Sequence, residues 1–207
     1  MLDNIKFYNS IQKEIINKSI KKMKTKTLST LKLVILGEKD IGKSPLIEDY
    51  LSKSGIKPIK NENYTKVSFI KILPSSEELK IQIKTFNEKT DKINSAINES
   101  HCVLILFDMG SRKSFENLLE EWLIFLRDTC NYKGVVFIFG KHLDKNKLLK
   151  TDEKEINQMI KISEVDCSFF NIADKSVEDI NKIIDELIVN SVENAKNNLN
   201  KKDCIIF

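Results

Sequence analysis

The fold is decided by one continuous stretch, Leu31-Lys-Leu-Val-Ile-Leu36, followed directly by Gly37-Glu-Lys-Asp-Ile-Gly-Lys-Ser44. The apolar run from Leu31 is typical of a buried strand. The segment from Gly37 matches G-x-x-x-x-G-K-[ST], the pattern of a phosphate-binding P-loop. A chance match is rare because the chain has only six glycines. This stretch therefore predicts a P-loop that connects a strand to a helix.

Each fixed position of the predicted loop has a chemical reason. The glycines let backbone N–H groups curl around a phosphate, the Lys43 ammonium offsets its charge, and the Ser44 hydroxyl can ligate Mg²⁺. Pro45 lies in the first helical turn, where the helix needs no N–H. Asp40 is unfavourable, because its carboxylate repels phosphate unless it points outward or meets Lys39. The predicted phosphate-binding residues are Gly37, Glu38, Lys39, Asp40, Ile41, Gly42, Lys43, Ser44 and Pro45.

From Leu31 onward, short apolar runs alternate with helical segments, which is typical of an α/β fold with a mainly parallel sheet. Residues 74–78 are too few for a crossover helix, so the strands that they join should form an antiparallel hairpin. We predict a three-layer P-loop NTPase fold with a six-stranded, mainly parallel sheet, one antiparallel hairpin and helices on both faces. The predicted strands are 31–36, 67–73, 79–86, 102–107, 135–139 and 167–172, with helices after Lys43, Ser114, Asp152 and Ser176.

The ends of the chain differ in composition from its middle. Residues 1–30 are rich in lysine, with an apolar residue every three or four positions, which predicts a basic amphipathic helix. Such an extension is either solvated or binds a membrane surface or a partner. We expect residues 31–190 to form one domain and residues 191–207 to form a polar, flexible tail. The net charge of +4 is spread along the chain, so nucleic-acid binding is not expected.

The C-terminal residues Cys204-Ile-Ile-Phe207 match C-a-a-X, and the terminal Phe favours a geranylgeranyl group on Cys204. No apolar run is long enough to span a bilayer or to act as a signal peptide, so membrane contact requires an anchor. The other cysteines, Cys102, Cys130 and Cys167, fall in or near apolar runs, which suggests a reducing, intracellular compartment. We expect a lipid-anchored protein at the cytoplasmic face of a cellular membrane.

From Leu31 onward, the chain resembles the small GTPases of the Ras superfamily, with Rab and Ras proteins as the nearest types. The stretch Val103-Leu-Ile-Leu-Phe-Asp108, followed by Ser114-Phe-Glu-Asn-Leu118 and Trp122, is similar to the fourth strand and third helix of that family. The resemblance implies GTP or GDP with Mg²⁺ as cofactors, and effector and regulator proteins as partners. It also implies a role as a switch in signalling or vesicle trafficking.

The resemblance extends to the loops that contact guanine in the family. Gly140-Lys-His-Leu-Asp144 resembles G-N-K-x-D, in which the Asp accepts two hydrogen bonds from the guanine edge. Phe169-Phe-Asn-Ile-Ala-Asp-Lys175 resembles F-F-x-x-S-A-K and keeps the lysine. The implied guanine-binding residues are Lys141, His142, Asp144, Asp174 and Lys175, and the implied metal-binding residues are Ser44 and Thr65, with Tyr64 as an alternative to Thr65.

One family motif is replaced. Where the family has D-T-A-G-Q, this chain has Thr85-Phe-Asn-Glu-Lys89. In the family, that Asp holds the magnesium shell and the Gln orients the attacking water, whereas Lys89 cannot accept a hydrogen bond from water. We expect slow or absent hydrolysis and a weakened dependence on Mg²⁺, and we assign no catalytic residue. The alternative is a pseudo-GTPase that holds nucleotide permanently, or none, and serves as a membrane-tethered docking module.

Overall fold

The computed structural model describes residues 28–60, 64–86, 91–146 and 148–203, and the strands within them form one sheet. The six predicted strands are confirmed. A seventh strand, β2, consists of two exposed residues and was not predicted, because no apolar run marks it. The strands are β1 (Thr30–Leu36), β2 (Ile59–Lys60), β3 (Tyr64–Ile72), β4 (Glu78–Phe86), β5 (Cys102–Asp108), β6 (Val135–Lys141) and β7 (Cys167–Asn171).

The sheet has the order β2-β3-β4-β1-β5-β6-β7 and is mainly parallel. Strand β1 pairs in parallel with both β4 and β5, and the β5–β6 and β6–β7 pairs are parallel as well. The predicted hairpin is confirmed: β3 and β4 are antiparallel, with Tyr64 opposite Phe86 and Ile72 opposite Glu78. The short β2 adds a second antiparallel pair at the edge of the sheet.

The helices connect these strands. The four predicted helices are confirmed, and a fifth, α2, follows residues 87–90, which lie outside the described part of the chain. Helix α3 continues through two π-helical segments, Leu118–Leu123 and Phe125–Thr129, where the Ile124 N–H donates to the Leu119 carbonyl. The helices are α1 (Lys43–Leu51), α2 (Asp91–Asn98), α3 (Arg112–Asn117), α4 (Glu153–Ile162) and α5 (Val177–Asp203).

The sheet has a hydrophobic core on each face. Along β1, Leu33 and Ile35 point into one core, and Val34 and Leu36 point into the other, as the two-residue period of a strand requires. The first core packs against α1 and α5, and the second packs against α2, α3 and α4. The predicted three-layer arrangement is therefore confirmed. No helix among the described residues is both long and apolar enough to cross a bilayer.

The expected flexible tail is helical as far as Asp203. Three side chains of α5 beyond Asn190, those of Ser191, Val192 and Ala195, are buried, and the Ser191 hydroxyl donates to the Leu187 carbonyl at 2.7 Å. The helix therefore keeps a packed face through a polar sequence, and the expectation of flexibility from residue 191 is wrong up to Asp203. Residues 1–27 and 204–207, which include the predicted N-terminal helix and Cys204, lie outside the described residues.

Candidate nucleotide-binding site

The P-loop lies at the carboxyl end of β1 and leads into α1, as the motif predicts. In a parallel sheet the carboxyl ends of the strands lie at the same end of the sheet, which is where α/β proteins bind their ligands. The segments that follow β5, β6 and β7 therefore lie at the same end of the sheet as the P-loop. Among them are the loops that carry the implied guanine-binding residues.

Two positions of the loop favour glycine. Gly37 has φ 134°, and a Cβ there would lie 2.4 Å from the Leu106 carbonyl oxygen. Gly42, which precedes the first turn of α1, has φ 91°. The intervening Asp40 adopts φ 65° and is exposed to solvent, although its negative charge still acts on the Lys43 ammonium. The loop thus keeps a backbone cradle despite its extra acid.

Lys43 is turned inward within this loop. Its side chain is only 4% exposed, and its Nζ donates to the carbonyls of Gly37 at 3.0 Å and Glu38 at 2.5 Å. Burial lowers the pKa of Lys43 to about 8, although the negative charges of Asp40 and Glu38 act to raise it. An ammonium held by two loop carbonyls is in position to meet an anion bound by the loop.

The lowered pKa of Lys43 predicts that nucleotide affinity falls as the pH rises above about 8. A bound phosphate favours the ammonium, so the pKa rises in the complex and binding takes up a proton between the two values. The decline is at most about tenfold per pH unit for one group. Titration of a fluorescent guanine nucleotide at several pH values from 7 to 9.5 measures it.

The control for this titration is Lys43→Arg, because a guanidinium stays charged throughout that range. Whatever its absolute affinity, this variant should give a much flatter pH profile above pH 8. A wild-type protein whose affinity stays constant across the range would contradict the prediction.

The Ser44 hydroxyl, at the start of α1, contacts the first of two threonines that are hydrogen-bonded to each other. Ser44 Oγ and Thr65 Oγ1 are 2.7 Å apart, so the two predicted metal-binding residues are brought together. The Thr65 N–H donates to Thr85 Oγ1 at 3.1 Å, and both threonines are buried. Thr85 stands where the resemblance expects an aspartate. The hydroxyls of Thr65 and Thr85 therefore lie where the family has a threonine hydroxyl and an aspartate carboxylate.

These residues fit Mg²⁺ only as an ion held mainly by phosphate oxygens and water. The ligands of an octahedral Mg²⁺ lie about 3 Å from their neighbours, which the Ser44 and Thr65 hydroxyls match. Across the described residues, no three or more Asp, Glu, His or Cys side chains converge as a metal site. When bound, such an ion would neutralise phosphate charge, and Ser44 and Thr65 are the residues that would contact it.

Lys141, the last residue of β6, contacts the P-loop. A Cβ on Gly42 would lie 2.7 Å from Lys141 Nζ, so this ammonium occupies the space beside the second glycine of the loop. Burial lowers the pKa of Lys141, and the negative charges of Asp49 and Asp108 oppose that effect. The resemblance places Lys141 among guanine-binding residues, whereas its ammonium lies against the phosphate loop.

The loop after β6 is held by Asp108 at the end of β5. Its Oδ1 accepts from the Gly110 N–H at 2.9 Å and from the Leu143 N–H at 3.2 Å. The His142 ring lies against Gly110, where a Cβ would be 3.0 Å from His142 Cδ2, and its buried Nε2 has no hydrogen-bond partner in the described structure. Asp144 Oδ1 accepts from the Asn146 N–H at 3.1 Å. The loop is thus ordered by short polar contacts.

The loop after β7 carries Asp174 and Lys175, which are both exposed. Its backbone turns through two hydrogen bonds, from Ala173 N–H to Asn171 Oδ1 at 3.0 Å and from Lys175 N–H to the Ile172 carbonyl at 3.3 Å. Since β7 pairs in parallel with β6, this loop and the Asp144 loop follow adjacent strands. Both loops therefore lie at the end of the sheet that holds the P-loop.

Comparison with known proteins agrees with this arrangement. The model of the Ras family matches residues 32–193, from β1 into α5. The chain belongs to the Ras family. It is also similar to the Ras-related protein RabV of Dictyostelium discoideum, with 30% identity over 125 residues, which cover 56% of this chain and 51% of RabV. The chain therefore matches about half the length of this relative.

In this Ras-family protein, a helix also contacts the P-loop in a way that the sequence did not indicate. Asn117, the last residue of α3, donates from Nδ2 to Oε1 of Glu38 in the P-loop. The two residues are separated by 79 positions, and Asn117 lies in a segment that resembled the family only as a helix. The replaced residues 87–90, which include Lys89, lie outside the described residues, so the expected effect on hydrolysis stays a prediction.

Proposed function

We propose that this Ras-family protein binds GTP and GDP as a molecular switch and hydrolyses GTP slowly or not at all. The observation that carries the proposal is Lys43, buried inside an intact P-loop with its ammonium on the Gly37 and Glu38 carbonyls. Burying a lysine ammonium costs free energy unless the charge is paired. A bound phosphate would supply the paired negative charge.

Preference for guanine over other bases is attributed to Asp144. A carboxylate can accept two hydrogen bonds from the guanine edge, and Asp144 follows β6 at the edge that holds the P-loop. Lys175 follows the adjacent strand β7 and is exposed there. Lys141 and His142 stand where the family has Asn and Lys just before this aspartate, so we propose a weaker preference for guanine than in proteins with the full motif.

Slow hydrolysis is proposed from the replaced motif at the end of β4. Thr85 has no carboxylate to support a magnesium shell, and the Lys89 ammonium cannot orient an attacking water by accepting a hydrogen bond from it. The Ser44 and Thr65 hydroxyls would therefore be the protein's main contribution around the ion. Binding without turnover is the outcome that this chemistry favours.

Partner proteins and a membrane complete the proposal. Ile70 and Ile72 are 61% and 68% exposed on one face of β3, and these two apolar side chains are where we propose that effector or regulator proteins bind. We propose a prenyl group on Cys204, supported by the C-a-a-X sequence alone, and hence attachment to the cytoplasmic face of a membrane.

The test is to extract nucleotide from freshly purified protein, identify it by chromatography, and follow [γ-³²P]GTP in a single turnover. We expect a guanine nucleotide to be recovered and hydrolysis to be far slower than in a Ras-family protein with an intact motif. Asp144→Ala is the matched variant, because it should lower the preference for guanine and leave the P-loop intact.

The two readings of the chain separate in this experiment. Recovery of guanine nucleotide with exchange between GDP and GTP supports the switch. Permanently retained nucleotide, or no nucleotide in a folded protein, favours the pseudo-GTPase acting as a docking module. Hydrolysis at the rate of an intact family member would contradict the proposal of slow turnover.

A further inference from the structure

The P-loop of this protein carries a carboxylate that is held from outside the loop. Glu38 directly follows Gly37, and its Oε1 accepts a hydrogen bond from Asn117 Nδ2 at the end of α3. Both side chains are half-buried. The P-loop pattern leaves position 38 open to any residue, and Asn117 lies outside the pattern.

Glu38 acts on Lys43 in two ways. Its backbone carbonyl accepts a hydrogen bond from Lys43 Nζ at 2.5 Å, and its carboxylate is near enough for its charge to act on the same ammonium. A free carboxylate at this position would compete with phosphate for the ammonium and would repel the phosphate itself. The direction in which Glu38 points therefore matters for binding.

Asn117 belongs to a helix that is packed against the core. It lies between the buried Phe115 and Leu118, where α3 passes into its first π-helical segment. The start of α3 is held by Ser114, whose hydroxyl accepts from the Asp108 N–H at 3.0 Å. An amide presented from such a packed helix can hold the Glu38 side chain in one place.

We propose that Asn117 is a positioning residue that holds the Glu38 carboxylate against α3 and away from the phosphate, and so couples α3 to nucleotide affinity. This inference rests on the proposed nucleotide-binding function. It assigns to α3 a direct influence on the P-loop, through one hydrogen bond to a charged group. Loss of such a bond changes binding by about tenfold.

The test is a double-mutant cycle read as affinity for GDP and GTP. We expect Asn117→Ala to weaken binding about tenfold, because the released carboxylate competes for Lys43. Glu38→Gln should bind at least as tightly as wild type. The double variant N117A/E38Q should return to within about twofold of E38Q, since no carboxylate remains to be held.

A charge swap gives a second route that does not depend on N117A. In N117D/E38Q, the glutamine amide can donate to the new aspartate, so the hydrogen bond is kept and the carboxylate moves from the loop to the helix. We expect N117D alone to bind more weakly than wild type, and the swap to bind at least as tightly. The defect of N117A should also shrink as NaCl is raised, because salt screens the repulsion.

Asn198→Ala is the matched control, because it removes an exposed asparagine of α5 whose Nδ2 donates to Asn194 Oδ1 at 2.9 Å. Its affinity should equal that of wild type. An N117A defect that persists in N117A/E38Q and at high salt would overturn the inference while wild-type binding stands. Absence of nucleotide binding by wild type would refute the proposed function and the inference together.

Discussion

Lys43→Met will reduce guanine-nucleotide affinity by at least about a hundredfold, since it removes the cation that opposes the phosphate charge inside the loop. Methionine matches the length and apolar stem of lysine, and the site is 4% exposed, so the fold should survive. The thermal midpoint should stay the same or rise, because a buried charge is removed. Nucleotide content after purification and direct titration both measure the loss.

Lys39→Met is the control for this prediction. Lys39 lies in the same loop but is exposed, so its loss should change affinity by no more than about threefold. If the Lys43→Met protein retained nucleotide as the wild type does, the ammonium would not be the phosphate ligand. The binding site would then have to be sought elsewhere on the molecule.

Gly37→Ala will destabilise the protein and abolish nucleotide binding. The new Cβ would lie 2.4 Å from the Leu106 carbonyl oxygen, which belongs to the buried strand β5, and φ 134° is itself unfavourable for alanine. Strain of this kind costs about 1–3 kcal/mol of the free energy of unfolding, to which the overlap adds. Urea-induced unfolding measures the change.

Gly55→Ala separates the two causes of that loss. Gly55 has φ +69°, but a Cβ there meets nothing within 4 Å. The Gly55→Ala variant should therefore lose only about 1–2 kcal/mol of its free energy of unfolding, which is the cost of the left-handed backbone, and it should keep nucleotide binding. Equal destabilisation of the two variants would mean that the approach of Leu106 to Gly37 contributes nothing.

The sequence predicted best those strands that are buried on both faces. Strand β5 was expected over 102–107 and runs from Cys102 to Asp108, because a strand between two cores is a continuous apolar run. Strand β2 is exposed and carries no such run. Helix α2 packs Ile93, Ala96 and Ile97 against the second core, but it is only eight residues long and largely polar, so it did not stand out among the apolar runs.

The site divides in the same way. The P-loop is local in sequence, so its motif predicted the loop between a strand and a helix and the role of Lys43 beside a phosphate. The contacts of Asn117 with Glu38 and of Lys141 with Gly42 join distant parts of the chain, and they depend on how far each loop projects from its strand. No spacing rule along the chain contains that information.

Helix α5 determines how the domain would sit on a bilayer. Its 27 residues span about 40 Å, from the end of the sheet that carries the nucleotide loops to well past the opposite end. The proposed lipid on Cys204 would therefore be attached at the end of the molecule opposite Gly37. The exchange of nucleotide would then face the cytosol, and soluble regulators could reach it without displacing the protein from the lipid surface.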